Sequence, residues 1–533
     1  MSGSKTIPIV VGVTGHRALR EADRPALYAA VKTELQKLAA RCPHSQLVLL
    51  CSLAAGGDLL CADAAEELGW PLLAALPMER EEFEKDFTPE ELVRFARHCA
   101  RAERVFVTPP TEAAPESPDR DFCYRQTGVY ISAHSHLLLA LWDGGEPSPN
   151  GCGTAEAVSF SLRGDYCPAD GVSMRSGGNE GVIHVFTPRG ERQGKAGEVK
   201  ILGSREAMED TLAKTEEFNR LALELDESAG YPILPSDAPD DGVLNCMERL
   251  YRAADALSVR FAAVYRRVLS GLAAAGTVLT MAFLLYDEAQ AIWMILVCGA
   301  MLLCAALLRR FAERSACHRR YIEYRALAEC LRVQVFLRYA GSRIEASELL
   351  SWSQQTELTW VMDALCGLGL GLPPKKGHDI RSCWVQDQMN YHRKAEGKAR
   401  RSFLASERVV RTALIASVTL YAAAVLFELL CGGLIFSPTF AVGNVELFRT
   451  LLKIAMGSLS ASTLFIAGYY GKQSLPRKLS DHGKMRRFYE KIDAQLALRG
   501  QTDELLRVLA REELIENGNW CSYQRDNVPD INF

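Results

Sequence analysis

Three short glycine-bearing segments of this 533-residue chain carry residue types that bind phosphates. Each segment lies between an apolar run and a stretch with helical spacing, so its backbone N–H groups can face an anion at a helix N-terminus. The candidate ligand-binding residues are Thr14, Gly15, His16 and Arg17 in the first segment, Gly56, Gly57 and Asp58 in the second, and Asp143, Gly144, Gly153, Thr154 and Glu156 in the third. Any one of these glycines could serve only to permit a tight turn. Three such turns on one edge of a sheet favour a ligand site.

Two arginines add to this set of candidates. Arg120 and Arg125 lie on a predicted helix before the fifth apolar run. A guanidinium can pair with a phosphate through its planar fork of donors, so both are candidates for the ligand site. A solvated helix face explains them equally well.

An alternation of strands and helices must position these segments. Apolar runs predict strands at Ile7–Val13, Gln46–Ser52, Pro71–Leu76, Arg104–Val107, His136–Trp142 and Val182–Phe186. Strands that are apolar throughout and separated by helices indicate a parallel sheet covered on both faces. The predicted fold of this part is therefore an α/β Rossmann-like, doubly wound parallel sheet. Ligands of such sheets bind outside the carboxyl ends of the strands.

The composition narrows the function classes. GxGxxG is missing from the first turn and GxxxxGK[ST] from the whole sequence, which argues against an ordinary dinucleotide fold and against ATP hydrolysis. A net charge of −4 gives no electrostatic reason to expect a nucleic-acid partner. The 16 cysteines lack zinc spacing and are expected to be buried, reduced thiols. We therefore assign no metal and no cofactor.

Four uncharged apolar stretches in the second half are long enough to cross a bilayer. They are Val268–Tyr286, Ala291–Leu308, about Thr412–Leu430 and about Leu452–Tyr470. We predict an all-α membrane domain with four transmembrane helices in two hairpins. Basic clusters beside the stretches predict a multi-pass protein of the cell inner membrane, with both termini in the cytoplasm. The alternative, buried core helices of a soluble protein, would need four such segments in one globule.

Polar residues inside the predicted spans are candidates for a pore or an interface. Glu428 lies near the outer end of the third span, where its carboxylate either lines a polar path or reaches the membrane surface. Ser458 and Ser462 share one face of the fourth span. Small polar residues also permit close packing of helices, so this face fits either role.

The N-terminal half resembles the SLOG domains, the Rossmann-like superfamily of the DprA and LOG proteins and of the N-terminal region of TRPM channels. The resemblance covers roughly residues 5–235. It rests on GVTGHR at Gly12–Arg17, SLAAGGDLLCADAA at Ser52–Ala65, PMEREEFEKDF at Pro77–Phe87, and LLALWDGG with GCGTAE at Leu138–Gly145 and Gly151–Glu156. It implies a site for nucleotides or nucleotide-derived ligands.

The LOG enzymes cleave the base from a nucleoside monophosphate with a glutamate in PGGxGTxxE. Gly153 and Thr154 match this motif, but Glu156 lies one residue early and Ala157 occupies the catalytic place. One residue on a helix rotates a side chain by about 100°. This departure argues against catalysis and leaves ligand binding intact.

The membrane half is similar to SLATT domains, two-span effector modules that accompany SLOG domains in bacterial conflict systems. The resemblance covers about Ala254–Trp520 and rests on HRRYIEYRALAECLRVQ at His318–Gln334 and WVQDQMNYHRKA at Trp384–Ala395. It implies a domain that forms a pore or perturbs the membrane, without catalytic residues.

Together these features predict three consecutive segments. Residues 1–245 form a nucleotide-ligand sensor, residues 246–384 a first two-span unit and residues 385–533 a second one. The expected function is a membrane effector of bacterial defence, in which the sensor gates or assembles a pore-like bundle. The expected partners are a nucleotide-derived small molecule, the lipid bilayer and further copies of the chain. A membrane-anchored nucleoside-monophosphate hydrolase and a nucleotide-regulated channel or transporter remain alternatives.

Overall fold

A computed structural model describes the chain except for residues 1–4, 111–117, 149, 165–180, 190–191, 193, 431–444, 473–474 and 527–533. Of residues 464–472 it describes only the backbone. The chain packs into two compact units. The first comprises Met1–Leu257, Glu323–Asp379 and Thr502–Cys521, and the second comprises Ser258–Ile322, Ile380–Gln501 and Ser522–Phe533. These units combine separate stretches of chain, whereas the segments predicted from the sequence are consecutive.

The first unit contains a seven-stranded sheet. Its strands are β1 (Ile9–Gly15), β2 (Leu47–Cys51), β3 (Leu72–Leu76), β4 (Arg104–Val107), β5 (Leu137–Trp142), β6 (Val182–Phe186) and β7 (Val199–Leu202). They lie in the order β4-β3-β2-β1-β5-β6-β7, and all neighbours are parallel except β6 and β7. The prediction of a parallel Rossmann-like sheet is confirmed for β1 to β6. It missed β7, an antiparallel edge strand with only four residues.

Helices of the first unit cover both faces of this sheet. They are α1 (Arg24–Arg41), α2 (Gly57–Glu67), α3 (Arg80–Phe83), α4 (Pro89–Arg101), α5 (Arg120–Ala133), α6 (Thr154–Arg163) and α7 (Arg205–Leu223). Successive side chains of β1 lie on opposite faces of the sheet, which explains why its sequence is apolar throughout. Val11 packs in the cluster that includes residues of α1, α2 and α4, while Val10 packs on the other face with residues of α5 and α6. Both faces of the strand are therefore buried.

Later parts of the chain complete the first unit. Leu370 packs in the same cluster as Val10 and Leu138. Phe218 of α7 packs edge-on against Tyr324, with ring centroids 5.6 Å apart, and close to Trp360. The sheet core thus includes residues that lie far beyond the segment predicted to form it.

The remaining elements of the described chain are helical. They are α8 (Gly242–Glu288), α9 (Met294–Ser315), α10 (Cys317–Tyr339), α11 (Ala346–Leu349), α12 (Trp352–Glu357), α13 (Thr359–Cys366), a π-helical turn (Arg381–Gln386), α14 (Asp387–Leu430), α15 (Val445–Lys472), α16 (Leu475–Arg499) and α17 (Asp503–Asp526). The two units divide α8 between Leu257 and Ser258, and the helix continues through this point without a break.

Three helical stretches are long and apolar enough to cross a membrane: Gly242–Glu288, Met294–Tyr339 and Arg381–Leu430. Their large apolar side chains are unusually exposed. Leu296 is 74% exposed, Val418 61% and Val425 57%. Extended apolar surface of this kind is stable in lipid and unfavourable in water. The stretches contain the first and third predicted spans and most of the second, whose predicted start at Ala291 lies three residues before the helix. The fourth lies in α15, whose side chains are described only as far as Thr463, and it stays a prediction.

Candidate functional site

A cleft of about 580 Å³ opens at the carboxyl ends of β1 and β5. The chain places β2, β3 and β4 on one side of β1 and then returns to place β5 on the other. Loops after β1 and β5 therefore leave the sheet in different directions, and a crevice forms between them. Residues from β1, α5 and α6 and from the loops after β5 and β6 line it. The predicted site and the observed cleft lie at the same edge of the sheet.

Most of the predicted ligand-binding residues line this cleft, and their role in binding stays a prediction. Those in the lining are Thr14, Gly15, His16, Arg17, Asp58, Asp143, Gly153, Thr154 and Glu156. Gly56, Gly57, Gly144, Arg120 and Arg125 do not contribute to it.

Gly56 and Gly57 pack the start of α2 against the loop after β1. Gly57 donates its N–H to the carbonyl of His16 at 2.9 Å, and a Cβ on Gly57 would lie 2.9 Å from the Cα of Gly15. Gly56 has φ +83°, and a Cβ there would lie 2.1 Å from the carbonyl oxygen of Arg17. Leu59 donates its N–H to Ala54. Much of the first turn of α2 is thus bonded to the protein itself, so this turn is poorly suited to bind an anion.

The first turn of α6 is open to the cleft. Gly153 precedes the helix with φ +132°, and no side chain caps the helix. Among the described residues, the backbone N–H groups of Thr154 and Ala155 have no acceptor, and both residues line the cleft. The helix dipole adds partial positive charge at this end. Of the three glycine turns, this one is best suited to hold a phosphate.

Glu156 and Asp143 bring carboxylates to the same cleft. Glu156 is 5% exposed and accepts the backbone N–H of Ser148. Asp143 accepts the N–H of Gly145 at 2.9 Å. Burial raises the pKa of Asp143, but bonds from Gly145 and His16 and the charge of Arg192 lower it by more, so its carboxyl group is ionised at neutral pH. These oxygens can accept hydrogen bonds from hydroxyl or ring N–H groups of a ligand.

His16 and Asp143 join the loops after β1 and β5. The Nε2 of His16 lies 3.1 Å from the backbone N of Asp143 and 3.1 Å from its Oδ1. Burial lowers the pKa of His16 despite the opposing effect of Asp143. The imidazole is therefore neutral at neutral pH, and its Nε2 either accepts from the amide or donates to the carboxylate.

Two further arginines of the cleft were missed by the sequence analysis. Arg189 and Arg192 line the cleft from the loop after β6, and Arg192 donates to the carbonyl oxygen of Asp143 at 3.1 Å. Both arginines are exposed, so their guanidinium groups can reach a ligand. Their segment shows no motif, and only its position after a predicted strand could have indicated it.

Acidic residues of the segment after β3 form ion pairs with one arginine of α5 and one arginine of the loop after β1. Arg120 pairs with Glu82 at 2.7 Å and with Asp86. Arg17 lies 3.2 Å from Asp86 and stacks over the ring of Tyr124 at 4.4 Å. Arg120 therefore serves an ion-pair network outside the cleft, while Arg17 belongs to both the network and the cleft lining.

Asp58 is a buried carboxyl group at the floor of the cleft. It is 3% exposed and accepts the hydroxyl of Ser52. Burial raises its pKa from the ordinary value of 3.8 to about 6, although bonds from Ser52 and the Ala54 amide oppose this.

The thiol of Cys152 also lines the cleft. Burial raises its pKa to about 11, so this thiol is not a nucleophile at neutral pH.

Another titratable cluster lies outside the cleft. Asp63, Glu66 and His98 are close enough together to share a cation. Arg94 and Arg97 already bond to Asp63, and Arg97 also contacts Glu66 at 3.2 Å. The two arginines supply the positive charge that a metal would supply, so the cluster has a structural role.

The candidate residues of α14 and α15 have different surroundings. Glu428 of α14 forms a two-bond ion pair with Arg449 of α15, at 2.7 and 2.6 Å. Its carboxylate is therefore neutralised between two helices. Ser458 and Ser462 are half-buried on α15, and their part in a pore or interface stays a prediction.

Comparison of the chain with protein-family models and with curated proteins gives no match.

The packing at Gly56 yields a prediction with a matched control. Gly144 also has positive φ, +73°, but a Cβ there meets no atom within 4 Å. An alanine in the left-handed αL conformation costs on the order of 1 kcal/mol. Gly56→Ala costs more, because φ +83° with ψ −113° lies outside that region and because its Cβ clashes with the β1 loop. We expect Gly56→Ala to lower the thermal unfolding midpoint of the detergent-purified protein far more than Gly144→Ala. Equal losses would show that the loop can move away.

The raised pKa of Asp58 predicts a pH-dependent stability. A carboxyl group whose pKa is raised on folding stabilises the protein at low pH, and this contribution is lost as pH rises through about 6. Asp58→Asn removes the titration. The free energy of unfolding of the wild type, relative to Asp58→Asn, should therefore increase by about 1.4 kcal/mol between pH 8 and pH 5, because pH 5 lies about one unit below the raised pKa. Unfolding of both proteins at both pH values measures this, and a constant difference would contradict the assignment.

Proposed function

We propose that this chain is a nucleotide-responsive membrane effector. Its cleft binds a nucleotide or nucleotide-derived signal, and the occupied cleft gates or assembles a pore-like bundle of membrane helices. The observation that carries the ligand class is the open first turn of α6, which faces a large cleft also lined by Arg17, Arg189 and Arg192.

The chemistry of the cleft favours a ligand with two different ends. The N–H groups of α6 and the arginines suit a phosphate. Asp143 and Glu156 suit the hydroxyl groups of a ribose or the N–H groups of a base. A volume of about 580 Å³ lies in the range of small-molecule sites and can hold a nucleotide. A nucleotide combines these features, and the resemblance to SLOG domains supports the same ligand class.

For the membrane half, we propose four spans in two hairpins with both termini in the cytoplasm of the inner membrane. The exposed apolar side chains of α8, α9 and α14 support spans in these helices. Contacts of α15 support a fourth: Glu288 bonds to Lys453 at 3.0 Å, and the Cβ position of Gly457 falls against Leu284. The resemblance to SLATT domains supports a role in bacterial defence.

Coupling between ligand and bundle would pass along α8, which continues from the first unit into the second. Moving a population from about 1% to 99% open needs roughly 10⁴-fold preference for the open state, near 5.5 kcal/mol. One ligand site supplies this with difficulty. Several sites acting together supply it more easily, which favours a homo-oligomer with one ligand in each subunit.

A hydrolase is the second candidate, favoured by carboxylates and a neutral histidine in one cleft. His16 with Asp143, or Glu156, could transfer a proton to or from a bound nucleotide. Release of free base from a nucleoside monophosphate by the wild type, and its loss in Glu156→Gln, would establish this alternative. A nucleotide-regulated channel or transporter is a further alternative, with the same arrangement of cleft and membrane helices but without a role in defence.

Ala155 offers a direct test of phosphate binding. Ala155→Glu places a carboxylate in the open first turn of α6, where it is compatible with the helix dipole but repels a phosphate. Ala155→Gln adds similar volume without charge. A thermal-shift panel of nucleoside monophosphates, NAD and cyclic dinucleotides should identify a stabilising compound for the wild type. We expect Ala155→Glu to weaken its binding at least about tenfold more than Ala155→Gln does. Equal effects would remove α6 from the phosphate site.

Leakage from liposomes tests the effector role. The compound found in the panel should release a trapped dye from liposomes that contain the full-length protein, with a steep dose response. Ala155→Glu should shift this response to higher concentrations. Gly457→Leu, which collides with Leu284, should change leakage while leaving compound binding as in the wild type. If the liposomes stay sealed although the compound is demonstrably bound, the effector role is wrong and the membrane half serves as an anchor.

A further inference from the structure

Charges at the two ends of the membrane helices differ in how they are paired. At one end, Glu428 bonds to Arg449 and Glu288 bonds to Lys453. These pairs join α14 to α15 and α8 to α15, so the same end of the bundle contains all four residues. We call it the far end, because α8 and α14 enter the bundle at the other one.

The entry end has arginines without acidic partners. Arg266 and Arg267 precede the first apolar stretch, Arg310 and Arg314 follow the second, and Arg408 and Arg411 precede the third; we call these six the arginine collar. All six side chains are exposed. Within the described parts of the chain, none of them lies within ion-pair distance of a carboxylate, whereas the neighbouring Arg309 pairs with Glu313 at 3.1 Å.

Packing brings these arginines to one level. Val268 and Leu272 of α8 pack in one cluster with Ala305 of α9, so the start of the first stretch lies beside the end of the second. The far-end ion pairs align α14 with α8. Each arginine lies within six residues of an apolar stretch, which is at most about 9 Å along a helix. This distance matches the headgroup layer beside the hydrocarbon of a bilayer.

The surface next to the collar faces lipid. Leu307 is 59% exposed and Leu414 58% exposed, each within a few residues of a collar arginine. A guanidinium at the edge of the hydrocarbon layer is stabilised by an anion at the same depth in the bilayer. A guanidinium binds phosphate through two parallel N–H donors. A phospholipid phosphate reaches this position while its acyl chains cover the leucines.

We propose that the arginine collar binds anionic phospholipid headgroups, such as phosphatidylglycerol, on the entry side of the membrane. This inference depends on the proposed membrane insertion and not on the ligand of the cleft. Zwitterionic phospholipids fit less well, because their ammonium group offsets the phosphate charge. At the far end, the described cations Arg449 and Lys453 are already paired with carboxylates.

The test uses full-length protein purified from mixed phosphatidylcholine and phosphatidylglycerol membranes, with mass spectrometry of the lipids retained. We expect retained phosphatidylglycerol to exceed its membrane fraction relative to phosphatidylcholine on the order of fivefold. A collar variant changes Arg310, Arg314, Arg408 and Arg411 to Gln. It should lose most of this enrichment, while changing the same residues to Lys should preserve part of it.

Helix α14 also contains four basic residues that provide a control variant with the same change in charge. Lys394, Lys398, Arg400 and Arg401 of α14 are exposed, but they lie 11 to 18 residues before Thr412, about 16 to 27 Å from the apolar stretch. That is beyond the reach of headgroup charges at physiological salt, about 8 Å. Changing these four residues to Gln should retain the enrichment of the wild type.

Resistance to extraction by alkaline carbonate measures membrane insertion separately. Extraction of the wild type would overturn the membrane assignment itself. An inserted collar variant with unchanged enrichment, or a control variant that loses enrichment equally, would overturn the collar. A collar variant that fails to insert can be replaced by the Arg310→Gln and Arg408→Gln single variants, each expected to lose part of the enrichment.

Discussion

The close contact between the start of α2 and the loop after β1 determines the shape of the cleft. Gly15 and Gly57 bring their backbones together, and the carbonyl groups of His16 and Arg17 occupy the space that a side chain at position 56 would need. This contact bonds the first turn of α2 to the protein and fixes the loop that carries His16. His16 then reaches across to Asp143, so the loops after β1 and β5 are held at a set distance. The open turn of α6 faces the space that remains.

The division of roles among the glycine turns shows what sequence can and cannot indicate. Apolar runs predicted six strands because most of these strands are buried on both faces, and the positions of the turns followed from them. The same pattern could not separate Gly56, which accommodates a backbone, from Gly153, which opens a helix to the cleft. That difference depends on which carbonyl groups lie nearby in space. Arg120 shows the same limit, since Glu82 and Asp86 hold it, whereas Arg192 reaches the cleft from a segment without a motif.

The long apolar helices could be predicted because amino-acid composition alone identifies them. Three uncharged stretches long enough to cross a bilayer form helices whose apolar side chains are exposed. The strand β7 was missed because Lys200 interrupts its four residues, whereas the equally short β4 keeps three apolar residues in succession after Arg104. Pairing of Glu428 with Arg449 was also beyond the sequence, because the two residues lie on different helices.

The first unit is closed by the last described helix of the chain. Arg332 pairs with Glu513 at 3.1 Å, Ser342 bonds to Asp503 at 2.8 Å, and Gln354 donates to the carbonyl oxygen of Leu514 at 2.8 Å. Residues 502–521 follow all four apolar stretches in the sequence, so they are the last part of the first unit to be synthesised. The contacts of Arg332, Ser342 and Gln354 with α17 can therefore form only after all four apolar stretches have been synthesised. A ribosome that stalls before residue 502 would leave the first unit without this closing helix, so a complete first unit requires that all four apolar stretches have been made.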